Sequence, residues 1–289
     1  MQNFSLHKSI LKTLAYADIF DSPLTLHQLW QFLISERRVD KNVVERSIAT
    51  ILTIEKINDY FCFRGRAHIV DKKIATIADS SEKYRRAAKA SLFLSRIPTV
   101  VLIGVSGGLA VGNVSKDDDI DLFIIAQKGT LWMTRFFSNL LLDALRMRRK
   151  RGARDISGKI CLNMFIEERG IAIPKNKQNL YTAHEIAQMI LLFERNNTYQ
   201  RFLQANTWVE KFLPNSIDIK KKLPILISEY LSIFLSSFEF LAKKVQLWYM
   251  KKHRTREEIN DYILAFYPFD YEKKLLKKYE ERLKKYHIA

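Results

Sequence analysis

Between Val101 and Ile125 the chain reads VLIGVSGGLAVGNVSKDDDIDLFII, and this stretch constrains the fold more than any other. TVVLIGV, from Thr99, is a β-branched apolar run of the kind buried inside a sheet, and it stops at Gly107 and Gly108. IDLFIIA, residues 120–126, is a second such run, and KICLNMFI, residues 159–166, is a third. Between the second and third, residues 131–147 form an amphipathic helix with Trp132, Phe136, Leu140 and Leu145 on or near one face. The centre of the chain is therefore an α/β unit with its polar residues at strand ends.

Those polar residues point to phosphate chemistry. Glycines at the end of a strand let backbone amides approach a phosphate without interference from a Cβ, and a helix starting there adds its positive end. Asp119 and Asp121 flank Ile120, so the two-residue period of a strand turns both carboxylates to one face. Two carboxylates side by side repel unless a cation lies between them, and Mg²⁺ takes oxygen ligands together with phosphates. A phosphate loop and a metal pair so close in sequence suggest a nucleotide site. An acidic loop leading into a strand is the plainer alternative, and it leaves the glycine pair unexplained.

At these residues the sequence resembles the nucleotidyltransferase superfamily related to DNA polymerase beta, in which Gly followed by Gly or Ser ends one strand and Asp-x-Asp lies on the next. Gly107-Gly108-Leu109-Ala110-Val111-Gly112 followed by Asp119-Ile120-Asp121-Leu122 is similar to the minimal nucleotidyltransferases, whose second signature residue is usually Ser. The segments LYTAHEIAQM, ANTWVEKFLPN and VQLWYMKKHRT also resemble a bacterial group that pairs a winged helix with such a domain. The resemblance implies an NTP bound with Mg²⁺, attack on the α-phosphorus by an acceptor hydroxyl, and release of pyrophosphate. Gly107 and Gly108 would hold the phosphates, Ser106 could add a hydroxyl, and Asp119 and Asp121 would bind metal. Catalytic members carry a third carboxylate on a later strand, and the position that fits here is Asn163. Asn can ligate through its oxygen but cannot act as a base, which moves that role to Glu185, Glu167 or Glu168. A non-catalytic nucleotide- or nucleic-acid-binding regulator that kept the fold is the rival reading.

The flanks complete an α+β expectation in three parts: a winged helix over 1–80, the nucleotidyltransferase domain over 81–175, and a helical region over 176–289. Residues 8–20 form a helix ending before Pro23. Thr25 with Gln28 makes a capping box for a second helix, and Asp40 caps a third that buries Val44, Ile48, Ile51 and Leu52. Tyr60–Phe63 and Ala67–Val70, joined at Arg64-Gly65, read as a hairpin, and a basic helix follows over 81–95. From Tyr181 onward the pattern is helical throughout. In its longest helix Ile227, Leu231, Phe234, Phe238, Leu241, Val245 and Trp248 form a seam that packs within the chain or joins two copies.

Forty-eight Lys and Arg against thirty-one Asp and Glu give +17, a field suited to a polyanion. Arg64 and Arg66 at the hairpin and the cluster Arg146, Arg148, Arg149, Lys150, Arg151 and Arg154 are the candidate contacts to nucleic acid or phosphates. Cys62 and Cys161 lie in apolar runs and read as buried free thiols, so a disulfide framework is excluded. His184-Glu185 lacks the second His of a metalloprotease helix, since position 188 is Gln. Asp18 in the first apolar stretch argues against a signal peptide, and Glu229 and Glu239 interrupt the most apolar segment, 223–241. A soluble, cytoplasmic protein is expected.

Overall fold

The computed structural model describes residues 2–150, 152–217, 238–251, 258–266 and 271–288. At the N-terminus, α1 (Gln2–Asp18) leads through β1 (Leu24–Thr25) into α2 (Leu26–Gln31), and α3 (Lys41–Ile48) follows. The capping box forms: Gln28 N donates to Thr25 Oγ1 at 3.2 Å and Thr25 N to Gln28 Oε1 at 3.0 Å. Ile10, Leu14, Leu29, Leu33, Val44 and Ile48 close the small core. Leu52, expected inside, is 82% exposed, and Asp40 makes no side-chain cap.

The hairpin is real but lies upstream of its expected position. β2 (Ile54–Ile57) pairs antiparallel with β3 (Tyr60–Phe63) around Asn58, which adopts φ 52°, and β1 adds to the other edge of β3. Asn tolerates that left-handed conformation better than most residues, and Asn58-Asp59 makes the turn. The segment taken for the second strand is instead α4 (His68–Ala75), and α5 (Ile77–Leu94) is longer than the helix expected over 81–95. Arg66 is therefore not at a hairpin tip. It pairs with Asp18 and Asp21 and is only 19% exposed.

The central sheet is built on β4 (Val100–Val105), β5 (Ile120–Ala126) and β6 (Ile160–Glu167). A short α6 (Gly107–Ala110) follows β4, and α7 (Leu131–Ala144) follows β5. β5 runs antiparallel to β4 and parallel to β6. The buried face of α7 matches the expected one only in part: Trp132 is inside as expected, joined by Leu142, whereas Phe136 and Leu140 are 42% and 56% exposed.

The expectation of helices alone after Tyr181 is corrected. After α8 (Leu180–Gln188), Ile190–Glu194 forms β7 on the free edge of β4. α9 (Thr198–Ala205) and α10 (Glu239–Lys251) follow; then β8 (Glu258–Ile259) and β9 (Ile263–Ala265) extend the opposite edge, before α11 (Tyr271–Lys285). The sheet order is β7-β4-β5-β6-β9-β8. The chain is thus a mixed α+β protein whose C-terminal third completes the central sheet.

One hydrophobic core joins α1, α2, α3 and β3 to one face of the sheet, α8 and α11, while a second lies under α5 and α7. Part of the 227–248 seam falls outside the described residues; of the rest, Leu241, Val245 and Trp248 are more than half exposed. α10 packs on α7, with Glu239 accepting from the backbone N of Trp132 and Met133. Among the described residues no helix is long and apolar enough to cross a membrane.

Candidate functional site

The turn after β4 and the start of β5 meet as closely as their side chains permit. Gly107 has φ +64°, and a Cβ built there would lie 2.8 Å from Asp121 Oδ2. Asp121 O accepts from Ser106 N at 3.1 Å, fixing the strand against the turn. Gly108 is equally constrained: a Cβ would meet Asn113 O at 2.9 Å and Val114 Cγ1 at 3.2 Å. That contact leaves no room for a side chain at Gly108 without a shift of the loop. The loop beyond is stapled by two buried lysines. Lys73 Nζ donates to Val111 O and Gly112 O, both at 2.7 Å, and Lys83 Nζ to Lys116 O and Asp118 O. Burial pushes Lys73 down to about 8.

Asp119, immediately before β5, and Asp121 on it bring their carboxylates together, while Ile120 and Leu122 between and after them are fully buried. The parallel register sets Cys161 of β6 beside Asp121, and the thiol hydrogen-bonds to that carboxylate. Ligand atoms of Asp119, Asp121 and Cys161 all lie within 4.8 Å of one another. Cys161 is thus partly exposed in a polar cluster, unlike the buried thiol expected; Cys62 is buried as expected. Asn163 sits two residues further along β6 at a bulge, where its carbonyl accepts from Phe266 N at 2.9 Å. Burial, then the charge of Asp119, pushes Asp121 up to about 6. Burial and the neighbouring Asp121 raise the Cys161 thiol well above its ordinary value.

A cation already offsets part of this cluster's charge. Arg149 Nη1 lies 2.6 Å from Asp119 Oδ2 and 3.9 Å from Cys161 Sγ. Its backbone N bonds Ile160 O at 2.8 Å, which carries the side chain along the start of β6. The rest of the basic cluster disperses: Arg148 pairs with Asp143, Lys150 and Arg154 are exposed, and Arg151 lies outside the described residues.

A cavity of about 580 Å³ opens from this cluster toward the N-terminal module. Gly107, Gly108, Asp121, Arg149, Cys161 and Asn163 line it, together with the rings of Tyr16, Phe20, Phe32, Tyr181 and Tyr271. Glu185, on α8, borders this cavity and a smaller one behind it that also touches Ser106 and Asn163. Burial and the charge of Asp121 push Glu185 up to about 7. Glu167 and Glu168 stand away from it at the far end of β6, roughly 20 Å along the strand from Cys161 at about 3.3 Å per residue. They are held by Arg169 and Arg201. His184 is a satisfied core residue: it stacks on Tyr16 at 3.8 Å, its Nδ1 faces Leu180 O at 2.9 Å, and burial pushes it down to about 4.

Sequence reasoning missed Cys161 as a member of the site and named Arg149 only as one of the basic cluster's candidate phosphate contacts, not as the partner of Asp119, because both enter through the pairing of β5 with β6. No family model matches the chain, and no curated protein matches it.

Proposed function

We propose that the protein transfers a nucleotide from an NTP to an acceptor hydroxyl, with Mg²⁺ at Asp119 and Asp121. The observation that carries this reading is the packing of Asp121 against the Gly107 turn, which puts a carboxylate and a Cβ-free backbone on the wall of a cavity, with Asp119 close enough to share an ion. The donor set fits a divalent cation: Arg149 already supplies positive charge at Asp119, and the ligand atoms are close enough to share an ion. Two carboxylates with phosphate oxygens suit hard Mg²⁺, and the Cys161 thiol serves better as a hydrogen-bond donor to Asp121. Bound there, Mg²⁺ would offset charge on the triphosphate and the leaving pyrophosphate.

Arg149 has a role to play once Asp119 takes a metal. Its guanidinium is released at the cavity wall, where it can form paired hydrogen bonds to phosphate oxygens. Glu185 is the base of choice, since it alone of the three candidate glutamates borders the cavity. A regulator without catalysis is favoured by one observation: Cys161 and Asn163, not a third carboxylate, follow Asp121 on the neighbouring strand.

The test is stabilisation by Mg²⁺ with each NTP, followed by incorporation of label from the α-phosphate. A ligand at about 100 times its dissociation constant adds about 2.7 kcal/mol of stability. Asp119→Asn with Asp121→Asn should remove the Mg²⁺-dependent part of that shift. An unchanged shift in the double variant overturns the site, and binding without transfer favours the regulator.

A further inference from the structure

The aromatic lining of the cavity has a chemistry that the glycine turn and the carboxylates lack. Tyr16, Phe20 and Phe32 of the N-terminal module line it with Tyr181 of α8 and Tyr271 of α11. Among the described residues lining the cavity, Arg149 beside Asp119 is the sole Lys or Arg, although the whole chain carries +17. His184 on the same wall is neutral above about pH 4 and faces Leu180 O with Nδ1. Beyond Asp121 and Cys161 the other polar side chains are neutral hydroxyls and amides, those of Thr13, Ser22, Gln28, Asn113, Asn163 and Gln188, with the carboxyl of Glu185 among them. A nucleic-acid end entering here would set phosphates against aromatic rings and a carboxyl group with no cation beside them, at a large desolvation cost. A cavity of about 580 Å³ is instead the size that small molecules occupy.

From this we infer that the acceptor is a small, uncharged hydroxyl compound with a ring or compact apolar body, held against the aromatic side chains of the cavity. The inference rests on the nucleotidyl-transfer reading and adds the acceptor class to it. Glu185 lines the same cavity as these rings and as Asp121, so a hydroxyl held by the rings would meet the phosphates at a boundary that Glu185 borders. A hydroxyl placed at that boundary attacks the α-phosphorus. Its oxygen forms the new O–P bond, its proton passes to the Glu185 carboxylate, and the bond to the β-phosphate oxygen breaks, that electron pair leaving with pyrophosphate. The rings stack on the acceptor's body, and the amides of Gln28 and Gln188 are placed for its remaining polar groups.

The experiment uses the full chain, Mg²⁺, α-labelled NTP and a cell extract split by ultrafiltration into RNA-and-protein and small-molecule fractions. Label should enter compounds of the small-molecule fraction. Phe32→Ala and Gln188→Ala should each cut that transfer by about tenfold or more, while binding of NTP and of inorganic tripolyphosphate, followed by thermal stabilisation, stays as in the wild type. Label confined to RNA or protein, or none in the small-molecule fraction, overturns the inference. So does a Phe32→Ala variant that loses affinity for NTP but keeps it for tripolyphosphate, because the rings would then hold the base. Failure of the wild type to bind Mg²⁺ with any NTP is a different result, and it overturns the nucleotidyl-transfer reading itself.

Discussion

Glu185 is a carboxyl group placed where charge is costly. Its folded-state value is raised from 4.5 to about 7, first by burial and then by Asp121. The folded chain therefore binds the proton more tightly than the unfolded chain, and stability falls as pH rises from about 4.5 to about 7. At about 1.4 kcal/mol per pH unit the penalty at neutral pH is at most about 3 kcal/mol. Glu185→Gln should remove it, raising stability at pH 7 and flattening the dependence between those values in denaturant titrations. The same variant should lower transfer by roughly 10² to 10⁴, the usual worth of a general base, with NTP affinity little changed. The wild-type rate of chemistry should climb with pH through about 7, and the variant should lose that limb. A variant that is neither more stable nor slower would remove Glu185 from the site.

At the scale of elements, the turn between β4 and α6 is fixed by missing side chains. Gly108→Ser places a Cβ 2.9 Å from a backbone oxygen, so the loop must shift, at a cost of about 1–3 kcal/mol. Melting should register that loss, and Mg²⁺-dependent NTP binding should weaken because the loop also positions Gly107 against Asp121. Unchanged melting would mean that the loop yields freely. This turn was legible in the sequence because its signals are local: an apolar run, two glycines, then alternating aspartates. Cys161 was not, since only the parallel register of β5 and β6 brings it to Asp121. β7 was missed for a related reason: Ile190–Glu194 follows a helix without a Gly or Pro, and its strand state depends on the edge of β4. The hairpin was misplaced because Arg64-Gly65 competed with Asn58-Asp59 as a turn. Gly65, at φ +83°, instead leads toward α4.

Across the whole molecule, the N- and C-terminal ends are tied at one buried carboxylate. Asp18, 3% exposed, accepts from Arg66 Nε at 2.8 Å and from Tyr286 OH at 3.0 Å. Arg282 Nε lies 2.9 Å from its Oδ2, a Coulombic pair whose N–H is not aimed at the oxygen. Tyr286 also stacks on Phe63 at 3.7 Å, and Tyr279 meets Tyr16 edge-on at 5.6 Å. These contacts hold α11 against α1 and β3, and α11 brings Tyr271 to the cavity. Removing the carboxylate leaves two guanidiniums close together in a chain already at +17. Breaking a fully buried pair costs about 3–5 kcal/mol; Arg66 and Arg282 are 19% and 32% exposed, so Asp18→Ala should fall near or below the lower figure. Arg66→Ala should destabilise in the same direction by less, since Arg282 and Tyr286 remain at Asp18. Urea titrations followed by tryptophan fluorescence and by far-ultraviolet dichroism would measure both. Coincident transitions are expected, because the N-terminal module and α11 share one core. In the same Arg66→Ala variant, the salt dependence of any nucleic-acid binding should match the wild type, as that guanidinium is spent on Asp18 and Asp21. A flattened salt slope with unchanged urea midpoint would instead return Arg66 to the surface as a phosphate contact.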